Sequence, residues 1–326
     1  MGVENLIREF SKELTDGVKR SFIYFAAVVL ILFTYNALLL PIGTIAFDSL
    51  YGETVVNQTL QNISAQANYK TNPAQAVMDW EQHHFKNPYG ENKPADAWTF
   101  ESITQLFSIV KINGSYQLFV RDATPSWKIQ AGLANCGEYS QIFIYLMNKS
   151  GIKARAVTVP GEDHAWAEYY NGSKKTVVET SAGYIINNTT QFAQGRNWSY
   201  LISQDIFNTS DTIDVSDEYI SRGNLSVRVF DDGRPAKDIQ VTVLSPFLMH
   251  ADPSRYKVPI AVLSNSTNVT GVAKFELGPK TYIVQVKKSF LFLNLVFSKN
   301  ATINIGQDNL VEFDLGKDKG EWKLLG

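Results

Sequence analysis

The chain has 326 residues, with 30 basic and 32 acidic side chains, a net charge of −2 and 44% hydrophobic content. Both signs of charge are interspersed, which leaves no basic face for nucleic acid, and the length allows two domains with appendages. The single cysteine, Cys136, excludes an internal disulfide, and one thiol with four scattered histidines makes a poor zinc site.

Residues 22–40 form an uncharged apolar run whose only clearly polar members are Thr34 and Asn36. Nineteen helical residues reach about 30 Å, the thickness of a hydrocarbon core. Lys19 and Arg20 precede the run, with Arg8 and Lys12 further up, and no Lys or Arg follows until Lys70. The positive-inside rule therefore puts residues 1–21 in the cytoplasm, residues 22–42 in the membrane as a single anchor, and the bulk of the chain outside the cell. A cleaved signal peptide is the competing reading, but the run is long and no clean small-x-small site follows it closely.

Asn57, Asn62, Asn113, Asn148, Asn171, Asn187, Asn188, Asn197, Asn208, Asn224, Asn265, Asn268 and Asn300 each begin an Asn-x-Ser/Thr sequon, and all lie beyond the apolar run. Chance would give about three, so the excess fits a glycosylated, outward-facing chain. A single anchor, dense sequons and scarce cysteine together resemble an archaeal surface protein.

Residues 52–127 have mostly helical spacing. Val55, Leu60, Ile63 and Ala67 suggest one amphipathic helix, and residues 74–85 a second that starts behind Asn72-Pro73. His83 and His84 are adjacent, so on a helix they diverge and read as solvated side chains. Tyr139, Ile142, Phe143 and Leu146 then mark one buried helical face, closed by Gly151. Strands are expected at 154–159, 164–170 and 176–180, broken by Pro160-Gly161 and Asn171-Gly172.

Cys136 falls in the first turn of the helix that bears this face. Asn135 is a good N-cap, and Glu138 three residues on completes a capping-box spacing. Unsatisfied N–H groups and the positive end of the helix dipole there favour a thiolate, and the Cys136 N–H is a candidate oxyanion donor. The competing reading is a buried cysteine acting as a small hydrophobe. A two-residue turn at Asn171-Gly172 would pair Tyr170 with Ser173 and set His164 directly opposite Glu179, where imidazole and carboxylate can share a hydrogen bond. Asp163 is the rival carboxylate, but as the strand neighbour of His164 it should point to the other face. A thiol, an imidazole and a carboxylate are the parts of an activated nucleophile with its base and orienting acid.

Cys136-Gly137-Glu138-Tyr139, Gly151-Ile152-Lys153-Ala154-Arg155-Ala156-Val157 and His164-Ala165-Trp166-Ala167-Glu168-Tyr169 resemble the transglutaminase-like core of the papain-like thiol superfamily. The Cys-Gly-Glu-aromatic variant is especially similar to the peptide:N-glycanase branch. The match covers about residues 132–183, and the helices from residue 52 are assigned to the same domain, taken as 52–220. The resemblance implies Cys136 as nucleophile, His164 as base and then acid, and Glu179 as third member. Where the family usually has Asp followed by Pro-Thr, this chain has Glu179-Thr180-Ser181. The family's tryptophan near the oxyanion has two upstream candidates, Trp98 and Trp127. No cofactor and no metal is called for.

Beyond about residue 222 short β segments take over, at 225–230, 239–244, 272–277, 281–286, 301–305 and 310–315. They read as a small antiparallel sandwich over 223–318, and the stretch from Leu225 through Asp232-Gly233-Arg234-Pro235 to Phe275 resembles prealbumin-like and carboxypeptidase-regulatory modules. The expected architecture is thus α+β: a papain-like transglutaminase core behind one transmembrane helix, then an all-β sandwich. The expected activity is acyl transfer on a protein or peptide amide, with membrane attachment through the N-terminal helix and cell-surface partners for the sandwich. A cross-linking transamidase, a catalytically silent surface scaffold and a dormant enzyme masked at Asn171 are the alternatives. A glycan-releasing amidase is less favoured, because a heavily glycosylated enzyme would be its own substrate.

Overall fold

The computed structural model describes scattered positions between 18 and 31, then residues 40–88, 98–101, 107–112, 114–120, 123–162, 164–172, 174–204, 211–246, 259–290 and 293–324. Most of the expected anchor, 22–42, lies outside them. Among the described residues no helix is long and apolar enough to cross a membrane.

Helix α1 (Leu40–Phe47) continues through a π turn (Asp48–Gly52) into α2 (Glu53–Ser64), which buries Val56, Thr59 and Ile63. Helix α3 (Pro73–His84) begins where sequence places it, since Asn72 Oδ1 accepts from Gln75 N and proline at the first position has no N–H to waste. Helices α4 (Pro125–Ala131) and α5 (Cys136–Lys149) follow. The expected face of α5 is buried, and so are Ile144 and Met147, because α5 is covered on two sides. Val77 and Met78 of α3 pack on one side, and Ala154, Ala156, Ala167 and Val178 of a sheet on the other.

That sheet has six strands, all paired antiparallel, in the order β7-β6-β5-β4-β8-β9. They are β4 (Ala154–Thr158), β5 (Ala165–Asn171), β6 (Lys174–Glu179), β7 (Tyr184–Ile186), β8 (Ile202–Gln204) and β9 (Thr212–Asp214). Alternate side chains supply its second face, where Val157, Trp166 and Val177 meet Phe192 of α6 (Thr189–Ala193), Trp198, Leu201 and Tyr219. Complete burial of Trp166 stabilises by about 4 kcal/mol. Glu168, fully buried, is neutralised by Lys175 Nζ at 2.9 Å and Arg155 Nε at 3.3 Å, with the Tyr219 hydroxyl donating to it.

Residues 98–120 depart from the helical expectation. They fold as an antiparallel meander of β1 (Trp98–Glu101), β2 (Phe107–Ile112) and β3 (Ser115–Val120). The period in β2 is two: Ser108, Val110 and Ile112 are buried while Ile109 is exposed, and Gly114 (φ +78°) lies in the turn to β3.

The C-terminal part is two sheets around one core that includes Leu225, Val227, Val243, Tyr282, Phe297 and Phe313. One sheet holds β10 (Gly223–Asp231), β11 (Arg234–Pro235), β14 (Val272–Leu277) and β17 (Asp308–Asp314). The other holds β12 (Gln240–Ser245), β13 (Ile260–Ser266), β15 (Thr281–Phe290), β16 (Leu293–Thr302) and β18 (Glu321–Leu324). Strands β13 and β18 were not expected, and β16 starts earlier than the segment 301–305. Nor is the sandwich wholly antiparallel, because β17 pairs with β10 in parallel.

Candidate active site

The site begins with the cap of α5. Asn135 is extended (φ −110°, ψ −169°); its side chain accepts from Gly137 N at 3.1 Å, and Glu138 Oε2 accepts from Asn135 N at 3.1 Å. This reciprocal box leaves Cys136 as the first helical residue, half-buried, at the positive end of a 14-residue helix. The Ser140 hydroxyl donates to the Cys136 carbonyl at 2.8 Å and lies 3.3 Å from Thr180 Oγ1. Gln82 of α3 donates to the Thr180 carbonyl. The first turn of α5 is thereby tied to the residue that follows Glu179.

Glu179 ends β6 and is 2% exposed, while His164, just before β5, is 24% exposed. His164 Nε2 lies 2.9 Å from Glu179 Oε2, and Ser181 Oγ donates to the other carboxylate oxygen at 2.9 Å. The first contact is close, but among the described residues Glu179 Oε2 has no hydrogen-bond partner of normal geometry. The imidazole rests on Trp166 (5.4 Å) and Trp198 (6.1 Å), whose rings stack on each other at 4.7 Å.

The hairpin register differs from the expected one. Asn171 pairs with Lys174, so Asn171 is the last paired residue of β5 and Gly172 lies in the loop. Glycine takes the left-handed conformation (φ +62°) at the first loop position, and Asn171 stays in the strand. Continued along the hairpin, this pairing puts Trp166 opposite Glu179 and His164 diagonal to it, on the same face. Asp163 lies outside the described residues.

Arg196 escaped the sequence reading. Its Nη1 lies 3.3 Å from His164 Nε2, and its Nη2 donates to the Tyr184 hydroxyl at 3.0 Å. The guanidinium is packed over Phe192 at 4.6 Å and Trp198 at 5.3 Å. A loop arginine 32 positions from the histidine carries no local signal; only the fold brings them together.

Of the two candidate tryptophans, the Trp98 side chain lies outside the described residues. Trp127, in α4, meets Phe47 edge-on at 5.3 Å, and its buried indole N–H has no hydrogen-bond partner among the described residues. His83 and His84 are exposed, each bonded through the ring to a backbone carbonyl, of Asp79 and Ile129 respectively. Among the described residues no three metal-ligating side chains cluster. Glu81 is fully buried, with neither oxygen partnered among the described residues, and burial pushes its carboxyl well above the usual range. Burial, and then the proximity of Glu81, raises the Tyr139 hydroxyl to about 12.

Residues 85–186 match the family model "Transglutaminase-like superfamily". The segment carries a transglutaminase-like domain. Cys136, His164 and Glu179 all fall within it. The chain is also similar to a peptide-N(4)-(N-acetyl-beta-glucosaminyl)asparagine amidase of Kluyveromyces lactis, 28% identical over 115 residues. That alignment takes in 35% of this chain, which spans about a third (32%) of the length of this curated relative. A crystal structure of the shaft pilin SpaA from Lactobacillus rhamnosus GG aligns over 29% of this chain and 49% of its own, at 13% identity. Its TM-score of 0.23 carries no argument about fold or function.

Proposed function

We propose that the chain is a thiol-dependent enzyme of amidase type that transfers an acyl group through Cys136. The observation that carries this reading is the 2.9 Å contact of His164 Nε2 with the buried Glu179, in a segment that also sets Cys136 on a capped helix N-terminus. The thiolate attacks an amide carbonyl to give a tetrahedral oxyanion, for which the Cys136 N–H is a donor. The C–N bond breaks as His164 passes its proton to the leaving amine, and a thioester remains. Water, deprotonated by His164, attacks the thioester and returns the thiol. Glu179 orients the ring and balances the imidazolium formed on the way.

The pH–rate profile of Cys136 alkylation, compared with His164→Ala, tests this. Rapid labelling below pH 7 that collapses in the variant supports a thiolate–imidazolium pair. Labelling that rises only near about pH 8.5 in both proteins would sink the enzyme reading.

The similarity to an asparagine amidase favours one narrower substrate, the amide bond of a glycosylated asparagine, despite the sequons that would make the enzyme its own target. Release of free glycan from a glycopeptide, with the unglycosylated peptide left intact, would distinguish it from peptide hydrolysis. We further propose that residues 22–42 anchor the chain in the cell membrane with the enzyme outside. The uncharged run, the flanking Lys19 and Arg20 and the outer sequons support this, and protease protection in intact cells tests it.

A further inference from the structure

The turn that delivers His164 is built against the β-sandwich. Gly161 (φ +82°) lies so close that a Cβ there would meet Val262 Cγ2 at 2.5 Å and Ser245 Cβ at 3.2 Å. Next to it, Glu162 Oε1 receives Lys280 Nζ at 2.5 Å, and the two side chains are only 12% and 18% exposed. Lys280 is further held over the ring of the buried Tyr282 at 5.5 Å.

The same sandwich turn reaches the other support of the imidazole. Gly278 N donates to the Ser199 carbonyl at 2.8 Å, and a Cβ on Gly278 would fall 2.0 Å from the Trp198 carbonyl. Trp198 is the ring stacked on His164. Residues 278–280 therefore touch both the turn that leads into His164 and the tryptophan that backs it.

A solvent-exposed ion pair would have little effect on geometry. This one is mostly withdrawn from water, so removing Lys280 leaves an unpaired, partly desolvated carboxylate two residues before the histidine. Glu162 regains hydration only by turning outward, which moves the turn that carries the ring.

We propose that Lys280 of the β-sandwich is a positioning residue for His164, acting through Glu162, so that the sandwich is a working part of the site. This rests on the reading of Cys136 and His164 as nucleophile and base. The test is the pH–rate profile of Cys136 alkylation by iodoacetamide in the detergent-solubilised full chain, for wild type, H164A, K280M, K280R, E162Q and the K280M/E162Q double variant. Near-UV circular dichroism of each reports tertiary packing.

We expect K280M and E162Q each to lower the rate at pH 6 by at least about tenfold, since small displacements of a reacting group are costly. At pH 9, where the thiol ionises unaided, their rates should match wild type. The double variant should lose no more than either single one, and K280R should retain the wild-type profile. K280M and E162Q variants that label at pH 6 like wild type would overturn the proposal. Should one variant lose its near-UV signal, the other carries the comparison; should both lose it, Lys280 is a folding residue and the proposal falls. A wild type no faster at pH 6 than H164A overturns the reading of the site, and the proposal with it.

Discussion

His164 and Glu179 meet on a diagonal of the β5–β6 hairpin, with Nε2 2.9 Å from Oε2, while the residue directly across from Glu179 is Trp166. Diagonal partners stand further apart than opposed ones, by roughly 2–3 Å. A glutamate, one methylene longer than aspartate, suits that span, which gives a physical account of the departure from the family's usual Asp.

Two substitutions test the diagonal contact. Glu179→Asp keeps the charge and loses the reach, and should lower kcat about tenfold. Glu179→Gln keeps the length and loses the charge that balances the imidazolium, and should cost at least about 100-fold. Single-turnover acylation measures both. The reverse order would show that length, not charge, is the demand on this position.

Asn135→Ala removes the side-chain acceptor from the cap beneath Cys136. Stability should fall by about 1 kcal/mol. Iodoacetamide labelling at pH 6 should slow as well, because a frayed first turn no longer directs its N–H groups and dipole at the thiol. Urea denaturation and the labelling rate are read on the same preparation.

Glu81 gives stability a pH dependence whose sign is set by burial. The unfolded chain ionises this carboxyl near its ordinary value of 4.5, whereas the folded chain holds the proton well above it. Between those points the folded state binds more protons, so stability falls as pH rises from 4.5 and levels off above the folded value. Glu81→Met removes this slope. Its gain in stability should be small at pH 4.5 and reach about 1–3 kcal/mol at pH 8. Thermal melts across that range check it.

Glu168 is fully buried and accepts from Arg155, Lys175 and Tyr219. Glu168→Ala removes the buried partner of two cations and a hydroxyl on the six-stranded sheet, leaving the cations only Glu218 among the described residues, and should cost about 3–5 kcal/mol in urea denaturation. Glu168→Gln, which keeps the acceptor oxygen, should cost less.

Gly278→Ala sets a methyl 2.0 Å from the Trp198 carbonyl, a backbone atom that cannot rotate away. It should cost about 1–3 kcal/mol, and it should slow Cys136 labelling at pH 6 because Trp198 backs the His164 ring.

What the chain alone determined is what acts within a few residues. The capping box around Cys136 spans four positions, so the sequence places the thiol at a helix N-terminus without knowledge of the rest. Asn72-Pro73 starts α3 for the same reason, and alternation announces β10 and β14. Residues 107–112 alternate in burial with Ser108 inside and Ile109 outside, a pattern that side-chain polarity alone hides, and the helical expectation passed over it. The tertiary structure decided everything that depends on which distant segments touch. At Asn171 and Gly172, strand pairing chose where the loop begins, and with it the diagonal meeting of His164 and Glu179. Arg196, Trp198 and the Lys280–Glu162 pair came to the histidine through packing across 32, 34 and 118 positions. Local hydrogen-bond rules leave a record in neighbouring residues; a contact between remote ones is specified by the whole core at once and leaves none.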